Sequence, residues 1–283
     1  MQRDDRKHGY PVPPGVSNAP GTDAEPLRRG GRDSPESPPS ISIVMPARNA
    51  AAHLLRAVSS VQAQTREDWE LIIADDGSTD GTLDLARDLA AHDPRIRPLA
   101  PPDSGQRGAA KARNRAIAAA RGRYLGFLDA DDEWLPEKLA RQLGWMEKQG
   151  LAITFTGFWR QRAEQRHEVK VPARVTRRQL LRGNVIGGLT VICDREKLAP
   201  VEVPALRLRQ DYALWLDLLS RTEAAHGLQE PLAIYHVTPG SLSSNRWRAT
   251  QATWRMYRDH AGLGRVAATW CLASHVIRRL LRG

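Results

Sequence analysis

Apolar positions from residue 41 onward fall into short continuous runs separated by stretches with helical spacing. Ile41-Ser42-Ile43-Val44-Met45-Pro46 is a strand-like run stopped by proline, and Leu54, Val58 and Val61 follow on one helical face. Trp69-Glu70-Leu71-Ile72-Ile73-Ala74 repeats the strand, and Leu83, Ala86, Leu89 and Ala90 repeat the helix. Ile96 to Leu99 predicts a short third strand, and Ala109 to Ala120 a helix rich in Ala and Arg with Gly122 as its C-terminal cap. Tyr124 to Leu128 is a fourth strand. This alternation predicts the α/β class, with a Rossmann-like, mostly parallel sheet flanked by helices. Ligands of such sheets gather outside the carboxyl ends of the strands.

The second half is less regular. Pro136 to Lys148 predicts a helix with Leu139, Leu143 and Met146 inward, and Leu151 to Trp159 another strand. Leu189 to Cys193 reads as a strand, Asp211 to Leu219 as a helix and Leu232 to Val237 as a last strand. From about residue 246 two helical segments form a C-terminal extension. In the last one Leu263, Val266, Trp270, Ile277 and Leu280/Leu281 fall near one face beside Arg278, Arg279 and Arg282. That stripe is expected to complete the core, with an anionic membrane surface as the other use. Residues 1–39 carry almost no large apolar side chains and are expected to be a disordered arm, with weak anionic contact through Arg28, Arg29 and Arg32.

Composition narrows the function classes. Lys+Arg 42 against Asp+Glu 32 gives a net charge of +10, which suits phosphate-bearing partners without choosing among them. Cys193 and Cys271 are far apart in apolar contexts, so neither a disulfide framework nor a Cys-based zinc site is indicated. No apolar leader opens the chain, and no window reaches the roughly 18 apolar residues that span a bilayer. The expected location is the cytoplasm, with the inner face of the membrane as a peripheral alternative.

The chemistry gathers where strands end. Tyr124-Leu125-Gly126-Phe127-Leu128 runs directly into Asp129-Ala130-Asp131-Asp132-Glu133-Trp134. Crowded carboxylates repel one another, and a divalent cation relieves the repulsion. Helix capping ahead of Pro136 accounts for one acid, not three. Asp75/Asp76 end a second strand and Pro46-Ala47-Arg48-Asn49 the first, so all three groups belong on one rim. Two other classes compete. An Asp-nucleophile phosphohydrolase would carry its acids on the first strand, and in a basic nucleic-acid-binding module the converging acids would repel the polyanion.

With these acids placed, Ile41 to Gln149 resembles a family 2 glycosyltransferase of the GT-A fold. The matching pieces are Ser42-Ile43-Val44-Met45-Pro46-Ala47-Arg48-Asn49, Asp75-Asp76-Gly77-Ser78-Thr79-Asp80, Ala112-Arg113-Asn114-Arg115-Ala116-Ile117 and Phe127-Leu128-Asp129-Ala130-Asp131-Asp132. Gln210-Asp211-Tyr212 and Tyr235-His236 extend it. The resemblance implies a domain over 40–245, with a nucleotide-binding half at 40–135 and an acceptor half at 136–245, followed by helices over 246–283. It implies that Pro46, Arg48, Asp75, Asp76, Arg113 and Asp129 bind a nucleoside diphosphate sugar, with a UDP-sugar expected. Asp131, with Asp132 beside it, would hold Mn²⁺ or Mg²⁺, and Asp211 would be the base that deprotonates a hydroxyl of a saccharide or lipid-linked saccharide, giving inversion. Gln210 stands where glutamate is commoner in the family. Gln210 and Trp134 are the acceptor-side candidates, and helix capping remains the other reading of Asp211. Arg107, Lys111 and Arg115, on differing faces of a basic helix, are expected to be solvated, and no nucleic acid partner is expected.

Overall fold

The computed structural model describes residues 38–102, 107–237 and 246–280. Most of the expected arm lies outside them. The first strands are β1 (Ile41–Ala47), β2 (Trp69–Asp75), β3 (Ile96–Leu99) and β4 (Tyr124–Phe127), joined through helices α1 (Ala51–Gln62), α2 (Thr82–His92) and α3 (Ala109–Ala119). All pair in parallel in the order β3-β2-β1-β4. Strand order therefore reverses beside β1, which places a crevice at the carboxyl ends of β1 and β4. The β1–β4 ladder ends at Val44 and Phe127, so Pro46 lies where β4 no longer pairs with its strand.

The chain then crosses the sheet. The two-residue β5 (Glu133–Trp134) is followed by a π-helical turn at Leu139–Leu143 that runs into α4 (Gly144–Gln149), so the helix expected over 136–148 is only partly regular. β6 (Ile153–Arg162), β7 (Gln165–Val169) and β8 (Arg174–Val175) lead to α5 (Arg177–Leu181). The strand expected over 189–193 divides into a 3₁₀ turn at Gly188–Thr190 and β9 (Ile192–Asp194), which leads to α6 (Arg195–Leu198). α7 (Gln210–Leu218) precedes β10 (Ala225–His236), which begins well before Leu232. Its register against β6 shifts on both sides of Pro231, which has no N–H to give the ladder and obscures the strand's start in sequence. β9 runs antiparallel between β4 and β6, and β10 parallel to β6, giving the order β3-β2-β1-β4-β9-β6-β10-β5.

Alternation along the strands fills a core on each face. Ile41, Ile43 and Met45 meet Leu54, Val58 and Val61 of α1 on one side. Val44, Ile72, Leu125 and Phe127 meet Ala112 and Ala116 of α3 and Leu214 and Trp215 of α7 on the other. Gly122 is not a left-handed cap. The α3 helix ends on Ala120 in extended conformation, and a Cβ at Gly122 would lie 2.7 Å from the Ser42 nitrogen, so glycine lets two backbones touch.

At the amino end of the sheet, Glu70 is 1% exposed. It accepts from Ser42 Oγ at 2.7 Å, Arg121 N at 2.7 Å and Arg97 Nη1 at 2.5 Å. Burial pushes its pKa up, but these donors outweigh burial and hold it below the ordinary value. Asp194, also buried, accepts from Arg123 Nη2 at 2.7 Å and caps α6 through Glu196 N.

α8 (Arg246–Arg255) continues through a π-helical turn at Met256–His260 to α9 (Arg265–Leu280). This extension is tied to α5 and α7. The hydroxyls of Tyr212 and Tyr257 lie 2.8 Å apart, each within hydrogen-bond reach of a carbonyl of α5, Leu180 for Tyr212 and Leu181 for Tyr257, and Arg209 Nε donates to Thr253 Oγ1 at 3.0 Å. The stripe expected to complete the core divides: Leu263 packs on it, whereas Val266, Trp270 and Ile277 are exposed, and Ala268, Cys271 and Leu272 make the other packing contacts; the side chains of Leu280 and Leu281 lie outside the described residues. Periodicity locates an apolar face without saying what covers it.

Candidate active site

Three loops meet at the crevice. Asn49 has φ 49° and binds the β1–α1 loop to the β2–α2 loop: its N–H donates to Ser78 Oγ at 2.9 Å, its Oδ1 accepts from Thr79 N at 2.9 Å, and Ala51 N donates to Asp80 Oδ2 at 3.1 Å. Ser78 and Asp80 are therefore loop ties, close to the ordinary turn chemistry that such residues supply. Asp76 accepts from Gly108 N at 2.6 Å and lies 3.9 Å from the half-exposed Arg48. Asp75 Oδ2 accepts from Gly77 and Ser78 N–H groups, whereas its Oδ1 is buried without a partner among the described residues. Such an atom is costly unless a ligand supplies a donor.

Arg113 is the centre of the other cluster. Its Nη2 donates to Asp129 Oδ1 at 2.5 Å, its Nη1 donates to Gln210 Oε1 at 3.2 Å, and the same Nη1 lies 3.7 Å from Asp211 Oδ1. One guanidinium thus joins the end of β4 to the start of α7. Burial works against its charge, and Asp129, Asp211 and Asp131 outweigh burial and hold the proton more firmly than usual. Asp211 is about half exposed, with a side chain 47% accessible. It sits in the first turn, but the cap position of α7 is Arg209 and no side chain caps the helix, so Asp211 does not cap it. Gly188 faces it: a Cβ there would lie 3.3 Å from Asp211 Oδ2. Phe127 and Trp215 form the apolar floor, edge to face at 5.3 Å.

Asp132 is different from its neighbours. It is buried, its Oδ1 accepts from the His236 N–H at 2.9 Å, and its pKa is pushed well above the ordinary value by burial and then by the charges of Asp129 and Asp131. His236 Nε2 is 2.5 Å from Glu133 Oε1, Glu133 pairs with Arg56 at 3.1 Å, and Arg56 Nη2 donates to the Asp131 carbonyl at 2.8 Å. The acid segment is clasped from both sides. Among the described residues no three His, Cys, Asp or Glu side chains converge into a cation cage.

Residues 42–200 match the description of Glycosyl transferase family 2. The chain belongs to that family. A Bacillus subtilis protein named provisionally as the teichuronic acid biosynthesis glycosyltransferase TuaG is 38% identical over 240 residues, covering 84% of this chain and 94% of that protein. The Escherichia coli UDP-Glc:alpha-D-GlcNAc-diphosphoundecaprenol beta-1,3-glucosyltransferase WfgD is 33% identical over 224 residues, covering 77% and 85%. In fold, the chain superposes on Staphylococcus aureus TarS in complex with UDP-GlcNAc with a TM-score of 0.65 at 16% identity, over 84% of this chain and 71% of that one. The mannosyltransferase PcManGT of Pyrobaculum calidifontis, in complex with GDP-Man and Mn²⁺, gives 0.62 at 19% identity over 85% and 70%. The architecture is GT-A.

In this family 2 transferase, the sequence-predicted acids fall in two neighbouring groups, Asp75/Asp76 with Arg48 and Asp129 with Arg113 and Asp211. Trp134 corrects an expectation. It is 2% exposed and its Nε1 donates to the Leu189 carbonyl, so its ring is core and offers no platform to an acceptor. Gly126 makes the room, since a Cβ there would lie 2.8 Å from that ring. Gln210 orients Arg113 and donates to the Leu206 carbonyl, so both ends of its amide are engaged inside the protein. Arg115 is no solvated side chain either, because it donates to the carbonyls of Ala100 and Asp75 and fixes the ends of β3 and β2. Gly188 and Arg56 escaped notice, since a lone glycine and a lone arginine carry no local signal. Asn114 holds the approach to α7 through paired bonds with Val203, donating to its carbonyl at 2.9 Å and accepting from its N–H at 2.7 Å.

Proposed function

We propose that this transferase moves a sugar from a UDP-sugar to a hydroxyl of a lipid-linked saccharide, with inversion at the anomeric carbon. The observation that carries the reading is Arg113, which holds Asp129 on the donor side and Asp211 on the acceptor side across one guanidinium. Asp75 Oδ1 is the acceptor left for a base N–H, and Arg48 beside Asp76 is the flanking cation at the nucleotide. Asp211 takes the proton of the acceptor hydroxyl as that oxygen attacks the anomeric carbon from the side opposite the diphosphate. A single displacement with one base inverts configuration. Phe127 and Trp215 exclude water beneath the reacting atoms.

The residues fit a divalent cation completed by the donor. The donors would be hard oxygens of Asp129 and Asp131; burial first, and then the charges of these two carboxylates, raise the Asp132 pKa, and a cation would relieve the second of these. Mn²⁺ or Mg²⁺ there would neutralise charge developing on the leaving diphosphate. The UDP and lipid-linked choices rest on the substrates named for WfgD and the ligand named for TarS. The deciding experiment incubates the full chain with a panel of UDP-, GDP- and dTDP-sugars and a synthetic diphosphate-lipid-linked sugar, with Mn²⁺ or with chelator. A glycosylated lipid of inverted configuration, formed only with metal, is expected. Retained configuration, metal-independent turnover or sole use of a purine nucleotide would overturn the corresponding part of the reading.

A further inference from the structure

α9 carries a second apolar face that no side chain covers among the described residues. Val266, Trp270, Ala273 and Ile277 recur every third or fourth residue, so they form one stripe along the helix. All four are exposed, Val266 at 86% and Trp270 at 67%. The opposite side is already used: Ala268 is fully buried, Leu272 packs on the core, and His275 stacks on the Tyr212 ring at 6.0 Å. The adjoining α8 adds Trp247, 72% exposed. Charge distinguishes this end of the chain as well. Residues 246–283 hold eight arginines, one aspartate and no lysine or glutamate, a net +7 out of the chain's +10.

We infer that the outward stripe of α9, with Trp247 of α8, rests in the headgroup layer of an anionic membrane. Two copies meeting through this face would bring +7 against +7, whereas an anionic lipid surface draws the same charge in. Indole rings suit that layer, having an apolar body and an N–H for the polar side, and arginine stems reach from an apolar contact to phosphate. Among the described residues no helix is long and apolar enough to cross a membrane, so this contact lies on the surface and does not span it. The inference rests on this surface alone and stands or falls separately from the donor and acceptor assignment.

The test sediments the full chain with vesicles of phosphatidylcholine alone and of phosphatidylcholine with roughly one quarter phosphatidylglycerol. Binding to the anionic vesicles at low salt, and its loss at high salt, is expected. Trp270→Ser with Ile277→Ser should weaken that binding about tenfold or more, because it removes the two largest apolar groups of the stripe. Arg265→Gln, Arg278→Gln and Arg279→Gln together should remove the preference for anionic lipid. Melting temperature and UDP affinity, measured on the same variants, should stay at wild-type values and show that each is folded. Equal recovery with and without anionic lipid would overturn the inference. So would vesicle binding untouched by the serine pair, or a dimer in solution that the serine pair dissociates.

Discussion

The two ends of the sheet hold the same kind of residue in opposite electrostatic states. At the amino end, Glu70 and Asp194 are buried, and each is matched by arginines and backbone N–H groups. Glu70 is thereby held below its ordinary pKa. At the carboxyl end, Asp129, Asp131 and Asp211 all draw on Arg113, and buried Asp132 is pushed well above its ordinary pKa by burial and by its own neighbours. Acids that stabilise the fold arrive with their partners; the acids proposed to form the site are left short of positive charge, which a divalent cation would supply.

That contrast breaks or sharpens under substitution. The largest effect belongs to Asp211→Asn, which keeps size and helix context but cannot accept a proton. Transfer should fall by a factor on the order of 10² or more, with melting temperature and UDP affinity near wild type. Near-normal turnover would remove Asp211 from the role of base. Asp131→Asn comes next: calorimetric titration with UDP and Mn²⁺ should show affinity lowered by about tenfold or more, again without loss of stability. An unchanged titration would take Asp131 out of the cation site.

At the amino end the pattern should invert. Glu70→Gln leaves Arg97 and Arg121 without their carboxylate; because both guanidiniums reach water, the cost is below that of a fully buried pair, about 2 kcal/mol or roughly 5 °C in melting temperature. UDP affinity should not move. The folded-state pKa of Glu70 lies below its ordinary value of 4.5, so its stabilisation is complete above that pH and is lost as pH falls through the lower folded value. The melting-temperature gap between wild type and Glu70→Gln should therefore close on acidification and persist at neutral pH. A gap independent of pH would mean that shape, not charge, holds that corner.

Much of this arrangement was legible in the sequence because it is local. Strands β1, β2 and β4 were mainly apolar runs, with Asp75 and Asp76 at the end of β2 and Asp129, Asp131 and Asp132 shortly after β4. Trp134 misled for a physical reason: adjacency to Asp132 in the chain says nothing about direction, and β5 turns the ring inward against Gly126. Arg113 and Arg115 are two residues apart in one basic helix, yet one serves the site and the other the strand ends, a distinction made by carbonyls and carboxylates distant in sequence. Stripe residues Val266, Trp270 and Ile277 were visible as a face, but only the packing of Ala268 and Leu272 shows that it points outward.

The clasp around residues 129–134 has a consequence for recombination among relatives. Pro38 onward forms one compact unit, and the proposed boundary between its halves at 135/136 falls inside a splice. Asp129 faces Arg113 of α3 on one side, whereas Asp132 accepts from His236 and β5 pairs with β10 on the other. A crossover placed there would join an acid segment to a last strand that did not evolve with it. An exchangeable cassette would have to carry β5 and β10 together, so new acceptor preferences are more readily reached by changing side chains around Asp211 than by swapping halves.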